Sequence, residues 1–137
     1  MNVSEVMSRD VKIASPEDTL QHAAQMMEGI DAGALPVGEN DRLVGILTDR
    51  DITLRAVARG KAPECKVRDV MSENIKYVYE DDTLEKVAKS MGDLQVRRLP
   101  VLDRKKRLVG IVSLGDLALK KTESAGKALK KVSEPEH

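Results

Sequence analysis

Gly33-Ala34-Leu35-Pro36-Val37, then Gly38-Glu39-Asn40-Asp41, then Leu43-Val44-Gly45-Ile46-Leu47 running straight into Thr48-Asp49-Arg50-Asp51, is the stretch whose reading decides the fold. Two apolar runs separated by turn-forming residues predict a β-hairpin, with Pro36 tolerated near the start of the first strand. The second strand ends on a Thr with Asp three residues on, which is how a helix begins. The whole stretch returns as Leu99-Pro100-Val101, a turn over Asp103 to Lys106, Leu108-Val109-Gly110-Ile111-Val112, and Ser113 with Asp116.

Working outward, the repetition continues. Val6-Met7-Ser8 returns as Val70-Met71-Ser72, Asp18-Thr19-Leu20 as Asp82-Thr83-Leu84, and Met27 as Met91, all at an offset of 64 that becomes 65 after the hairpin turn. One supersecondary unit is used twice. Before each hairpin, Leu20, Ala23, Ala24 and Met27, and Leu84, Val87, Ala88 and Met91, recur at helical spacing, opened by Thr19 or Asp18 in the first copy. Gly29 and Gly92 suit the ends of these helices. Ahead of them, Val11 to Ala14 and Ile75 to Tyr79 read as short strands. A second helix follows each hairpin, from about Asp49 to Ala58 with Gly60 as its stop, and from about Leu114 to Lys121. Each copy is β-α-β-β-α, so the expected class is α/β (α+β), with repeats at 1–62 and 63–121 related by pseudo-twofold symmetry and a charged tail at 122–137.

Composition bounds the partners. With 137 residues the chain can bury a core without disulfide or metal staples, but either half alone is marginal, so the halves are expected to share a core or a large interface. Basic and acidic residues balance at 23 each, which leaves no net field to attract nucleic acid or an anionic membrane. Tyr77 and Tyr79 are the only aromatic residues, too few for a base-stacking platform. No apolar run approaches the roughly 18 residues that span a bilayer. The single Cys65 makes no internal disulfide and the N-terminus shows no signal pattern, so a cytoplasmic protein is expected. His22, Cys65 and His137 lack metal-ligand spacing, and no P-loop or nucleophile elbow is present, so neither a metal site nor an enzyme is expected.

The Thr48–Asp51 and Ser113–Asp116 pairs have two physical readings. As capping boxes, the hydroxyl accepts from a helix amide and the carboxylate reaches back to the cap's own N–H. As a ligand site, the same helix start offers amides and a hydroxyl to phosphate, while the carboxylate accepts from the two hydroxyls of a ribose.

The strings Gly-Ala-Leu-Pro-Val (33–37), Gly-Ile-Leu-Thr-Asp-Arg-Asp (45–51), Gln-Val-Arg-Arg-Leu-Pro-Val (95–101) and Gly-Ile-Val-Ser-Leu-Gly-Asp (110–116) resemble the cystathionine β-synthase (CBS) domain, and two tandem copies resemble the regulatory pair called a Bateman module. The resemblance covers residues 1 to about 121. It implies an adenosine-containing regulatory ligand in a cleft between the repeats: AMP, ADP or ATP, with NAD and S-adenosylmethionine as further candidates, and energy sensing as the corresponding role. It assigns Thr48 and Ser113 to phosphate and Asp51 and Asp116 to ribose. The adenine slot falls to Lys12, Ile13 and Ala14 in one copy and Lys76, Tyr77 and Val78 in the other, with Pro36 and Pro100 nearby.

Arg97 and Arg98 stand where related modules hold a basic residue toward phosphate, and Arg50 is a second candidate; for at least one of the adjacent pair a solvated loop arginine is the plainer reading. Gly33 and Ala34 match Arg97 and Arg98, and Gly115 matches Arg50, so the two sites are expected to differ. Tyr77 either stacks on a base or packs in a half-buried strand. Family habit further implies a homodimer, with Ile52, Leu54, Val57 and Leu117 to Leu119 as interface candidates that intrachain core would equally explain, and a regulated protein of unknown identity. The alternative is a ligand-independent adaptor dimer in which the boxes only cap.

Overall fold

The hairpin reading holds. In the computed structural model, which describes residues 1–120, strand β1 (Ala34–Glu39) pairs antiparallel with β2 (Arg42–Thr48), in a register that sets Pro36 opposite Ile46 and Ala34 opposite Thr48. Asn40 and Asp41 both lie at positive φ, 54° and 64°, the two-residue turn whose twist matches the strands it joins. Tail positions 122–137, and Lys121, lie outside the described residues.

Helix α1 (Leu20–Ile30) is capped by Thr19, whose hydroxyl accepts from His22 N–H at 3.1 Å, while Asp18 instead closes the preceding turn by accepting from Ser15 N–H. Helix α3 (Leu84–Leu94) repeats this with Thr83 and Asp82. Gly29 and Gly92 do not end these helices. Both continue to a left-handed residue, Asp31 (φ 52°) and Gln95 (φ 56°), because the helix N–H to carbonyl closure is made one turn later, by Ala32 and Val96 onto Met27 and Met91. Ala24 and Ala88, periodic with the core residues, are exposed on the flank of the buried stripe.

The expected leading strands shrink. Only Ala14 bridges to Val37, donating to Pro36 O and accepting from Gly38 N–H, and only Val78–Tyr79 (β3) forms a strand, parallel to β4 (Arg98–Leu102). Ser15-Pro16 and the Asp18 turn follow Ala14 at once, so the chain leaves the sheet after a single pairing. β4 neighbours β5 (Leu108–Ser113) in the same sheet. Helix α2 covers residues 49–59, with a wide π turn over Ile52–Ala56, and stops at Gly60 (φ 73°) as expected. Helix α4 covers residues 114–120 of the described chain.

Among the described residues there are two cores, and each draws on both sequence repeats. One gathers Ala14, Leu20, Ala23, Met27, Leu35, Val37 and Leu47 from the first repeat with Val67, Val70 and Met71 from the lead of the second. The other gathers Val78, Val87, Met91, Leu99, Val101, Val112 and Leu117 with Val3 and Met7 from the lead of the first. Accordingly, among the described residues the compact units are Asp10–Lys76 with Lys105–Leu108, and Met1–Arg9 with Tyr77–Arg104 and residues 109–120. The repeats thus exchange their leading segments.

Glycine makes the exchange possible. Met71 lies across Gly45 and Met7 across Gly110, so closely that a β-carbon on either glycine would stand 2.6 Å from the sulfur. Ser72 then exchanges both main-chain hydrogen bonds with Ile46, and Ser8 does so with Ile111.

Candidate functional site

Each β2→α2 and β5→α4 junction is a capping box. Thr48 Oγ1 accepts from Asp51 N–H at 3.0 Å and Asp51 Oδ2 accepts from Thr48 N–H at 3.0 Å. Ser113 and Asp116 repeat both bonds, again at 3.0 Å. A cap of this kind contributes about 1 kcal/mol. It commits one carboxylate oxygen and leaves Oδ1. For Asp51 that oxygen faces Arg55 Nη1 at 4.0 Å, and the same guanidinium donates to Met71 O, so the exchanged segment is tied to the cap. Both aspartates are half-buried.

The residues around the first junction belong to one unit. Ala34 opens β1 directly opposite Thr48, and Asp49 N–H donates to Gly33 O at 2.8 Å. The Asp49 carboxylate lies over Gly33, whose β-carbon, if it had one, would meet Oδ2 at 2.7 Å. Asp49 and Gly33 also line a groove of about 410 Å³ together with Met27, Glu28, Asp31 and Ile52. The second junction has the same backbone, with Leu114 N–H donating to Arg97 O at 2.7 Å, but its side chains differ: Arg97 replaces Gly33 and Leu114 replaces Asp49. Arg97 and Arg98 are exposed, as is Arg50.

The slot residues divide by exposure. Ala14, Pro36, Val78 and Pro100 are buried, and both main-chain groups of Ala14 are spent on β1. Ile13 is exposed and packs over Gly38, beside a hollow of about 220 Å³ lined also by Asn40, Arg42 and Leu108 of the same unit. Lys12 and Lys76 are exposed, Lys12 lying 3.9 Å from Asp10. Tyr77 is half-buried and meets Tyr79 edge-to-face at 5.6 Å. Arg104 covers the Tyr79 ring at 4.2 Å while pairing with Asp81. Hydrogen bonding to Tyr77 raises the Tyr79 phenol above its ordinary pKa, and the Arg104 guanidinium holds the Asp81 carboxyl below its own.

Sequence reasoning missed Asp49 and Arg55. Asp49 had a signal, since it breaks the match with Leu114; for Arg55 the spacing of four from Asp51 was legible, but its bond to the Met71 carbonyl was not, because Met71 lies in the other repeat. Leu117, offered as an interface residue, is core, whereas Leu54, Val57 and Leu119 are exposed. No helix among the described residues is long and apolar enough to cross a membrane, and no His/Cys/Asp/Glu group among them is placed to hold a metal ion.

The profile of the CBS domain matches residues 3–57 and 67–133. A CBS domain-containing protein of Bacillus subtilis, YhcV, is 42% identical over 134 residues, covering 96% of this chain and 95% of its own length. Among solved structures, the CBS domain protein NE2398 superposes with a TM-score of 0.79 at 30% identity, covering 89% of this chain and 98% of that one. The CBS domain pair of MJ0100, solved with 5′-methylthioadenosine and S-adenosylmethionine, superposes at 0.78 with 26% identity, covering 90% and 98%. With the duplicated hairpin and capping box matched over both repeats, this chain belongs to the CBS domain family as a tandem pair of CBS domains.

Proposed function

We propose that the chain is a regulatory module that binds an adenosine-containing ligand at the Thr48–Asp51 and Ser113–Asp116 junctions and passes its occupancy to a partner protein. The observation that carries this reading is the duplicated junction itself. Two helix starts in one chain present a hydroxyl and a carboxylate with one oxygen uncommitted by the cap, in a family whose member MJ0100 was solved with two adenosine derivatives. On this reading Asp51 and Asp116 accept from the ribose hydroxyls, Thr48 and Ser113 face phosphate, and Ile13 and Tyr77 flank the base with Lys12, Lys76 and the buried Ala14, Val78, Pro36 and Pro100 behind them. Arg97, Arg98 and Arg50 supply positive charge. AMP, ADP, ATP, NAD and S-adenosylmethionine are the candidate ligands. The role is regulatory rather than catalytic, in a cytoplasmic homodimer whose exposed Leu54, Val57 and Leu119 supply apolar contact surface.

A thermal-shift series with these five compounds tests the reading. A dissociation constant in the micromolar to submillimolar range corresponds to about 5–8 kcal/mol of binding. At 100 times that constant, ligand adds about 2.7 kcal/mol to stability, which is a shift of several degrees. If none of the compounds moves the melting temperature at millimolar concentration, the junctions only cap and the adaptor reading replaces this one.

A further inference from the structure

The two junctions share a backbone and carry opposite charge. At the first, the carboxylates of Asp49 and Asp51, with Glu28 and Asp31 on the adjoining groove, outnumber the guanidiniums of Arg50 and Arg55, and the residues facing the helix start are Gly33 and Ala34. At the second, Arg97 and Arg98 set two guanidiniums against the single carboxylate of Asp116, with Leu114 and Gly115 contributing none. The difference is built into the packing. Asp49 can lie over residue 33 only because that residue is glycine: a β-carbon there would stand 2.7 Å from Oδ2, 3.0 Å from Cγ and 3.2 Å from Oδ1. The place that an arginine takes in the second repeat is therefore filled by an anion in the first. Gly33 does not have a left-handed backbone, so conformation does not demand glycine there. The groove beyond it is rimmed by the carboxylates of Glu28 and Asp31, and no basic side chain among the described residues lines it.

We infer that the two junctions select ligands of opposite charge. The Ser113–Asp116 junction takes an adenosine phosphate through Arg97 and Arg98, and the Thr48–Asp51 junction takes an adenosine derivative without phosphate, its 5′ substituent neutral or cationic. This rests on the adenosine reading above and adds Asp49 as the residue that rejects phosphate. A phosphate within a few ångströms of the Asp49 carboxylate meets a like charge, which at a protein surface costs about tenfold or more in affinity. Arg50 and Arg55 do not reverse this, because Arg55 is turned onto Asp51 and the Met71 carbonyl while Asp49 stands with Glu28 and Asp31 around one groove.

Calorimetry on the full chain, with AMP and 5′-methylthioadenosine as probes, tests the assignment. AMP is expected to fill one site per chain, and methylthioadenosine to bind still to the AMP-saturated protein. Asp49→Asn should admit a second AMP, strengthening the weaker site about tenfold or more. The double change Gly33→Arg with Asp49→Leu, which transplants the second repeat's pair, should do so more strongly. Arg97→Ala should weaken the first AMP and leave methylthioadenosine binding to the AMP-free first junction unchanged. Melting temperatures of the variants confirm that each is folded before its titration is read. If AMP fills two equal sites in the unaltered chain, or if both Asp49 variants bind methylthioadenosine yet still take one AMP, the charge assignment is wrong while the adenosine reading stands. If no adenine compound gives heat with any of the proteins, the adenosine reading itself falls, and the assignment with it.

Discussion

Replacing Asp51 in two ways separates the cap from the ligand contact. In Asp51→Ala the side-chain acceptor of Thr48 N–H, made at 3.0 Å, is gone, and so is the carboxylate facing Arg55. Loss of such a cap costs about 1 kcal/mol, with a range of about 0.5–2. For a chain of this size that lowers the melting temperature by about 3–5 °C. Asp51→Asn keeps an oxygen for Thr48 N–H and loses the charge, both at the helix start and toward the half-exposed Arg55, about 0.3–1 kcal/mol, so its melting temperature should fall by less than that of Asp51→Ala. Affinity should rank differently. A hydrogen bond to a charged acceptor contributes about 1.5–3 kcal/mol, so both variants should lose roughly ten- to a hundredfold at the altered junction. The assay is isothermal calorimetry with 5′-methylthioadenosine beside differential scanning calorimetry of the same preparations. If Asp51→Asn binds as tightly as the unaltered protein while Asp51→Ala is weakened in proportion to its lost stability, the carboxylate is a cap and nothing more.

Three further outcomes follow from the geometry. Gly110→Ala places a methyl 2.6 Å from Met7 Sδ and 2.8 Å from the Ser8 carbonyl, so the exchanged segment must shift; a loss of about 1–3 kcal/mol is expected by chemical denaturation, and an unchanged midpoint would mean that the segment is not held there. Arg97→Ala and Arg98→Ala should weaken AMP more than adenosine, by a margin that shrinks as salt rises; equal losses for both compounds would show that neither guanidinium meets phosphate. The carboxyl of Glu17 is held below its ordinary value of 4.5 by hydrogen bonds from Lys66 and Arg68, so its contribution is present above that pH and is lost as pH falls through the lowered value. Glu17→Gln should therefore be less stable than the unaltered chain at neutral pH and converge with it in acid, and parallel pH–stability curves would contradict the pairing.

How far the sequence carried the reading depends on the range of the interaction. The hairpin, the helix stop at Gly60 and both capping boxes are set by residues within a few positions of one another, so patterning alone located them, although the turn read over Gly38 to Asp41 narrows to Asn40 and Asp41 because Gly38 and Glu39 pair with β2. The leading strands failed because pairing is a property of the partner. Val11 to Ala14 has the composition of a strand, yet only Ala14 finds a neighbour, on β1. Gly29 and Gly92 misled for a related reason: a left-handed helix end is fixed where Ala32 and Val96 can close on Met27 and Met91, and that fell on Asp31 and Gln95.

The duplication, the balance of charge and the mismatch of Gly33 with Arg97 and of Asp49 with Leu114 are properties of the sequence by itself, since each is a matter of residue identity at matched positions. Only the tertiary structure decided which segment completes which core. Val3 and Met7 are as apolar as Val67 and Met71 and occupy the same place in the repeat, so no local preference distinguishes packing at home from packing across; long-range burial against Gly110 and Gly45 makes that choice. The same holds for Asp49, whose position over Gly33 exists because β1 and β2 bring residues 34 and 48 face to face.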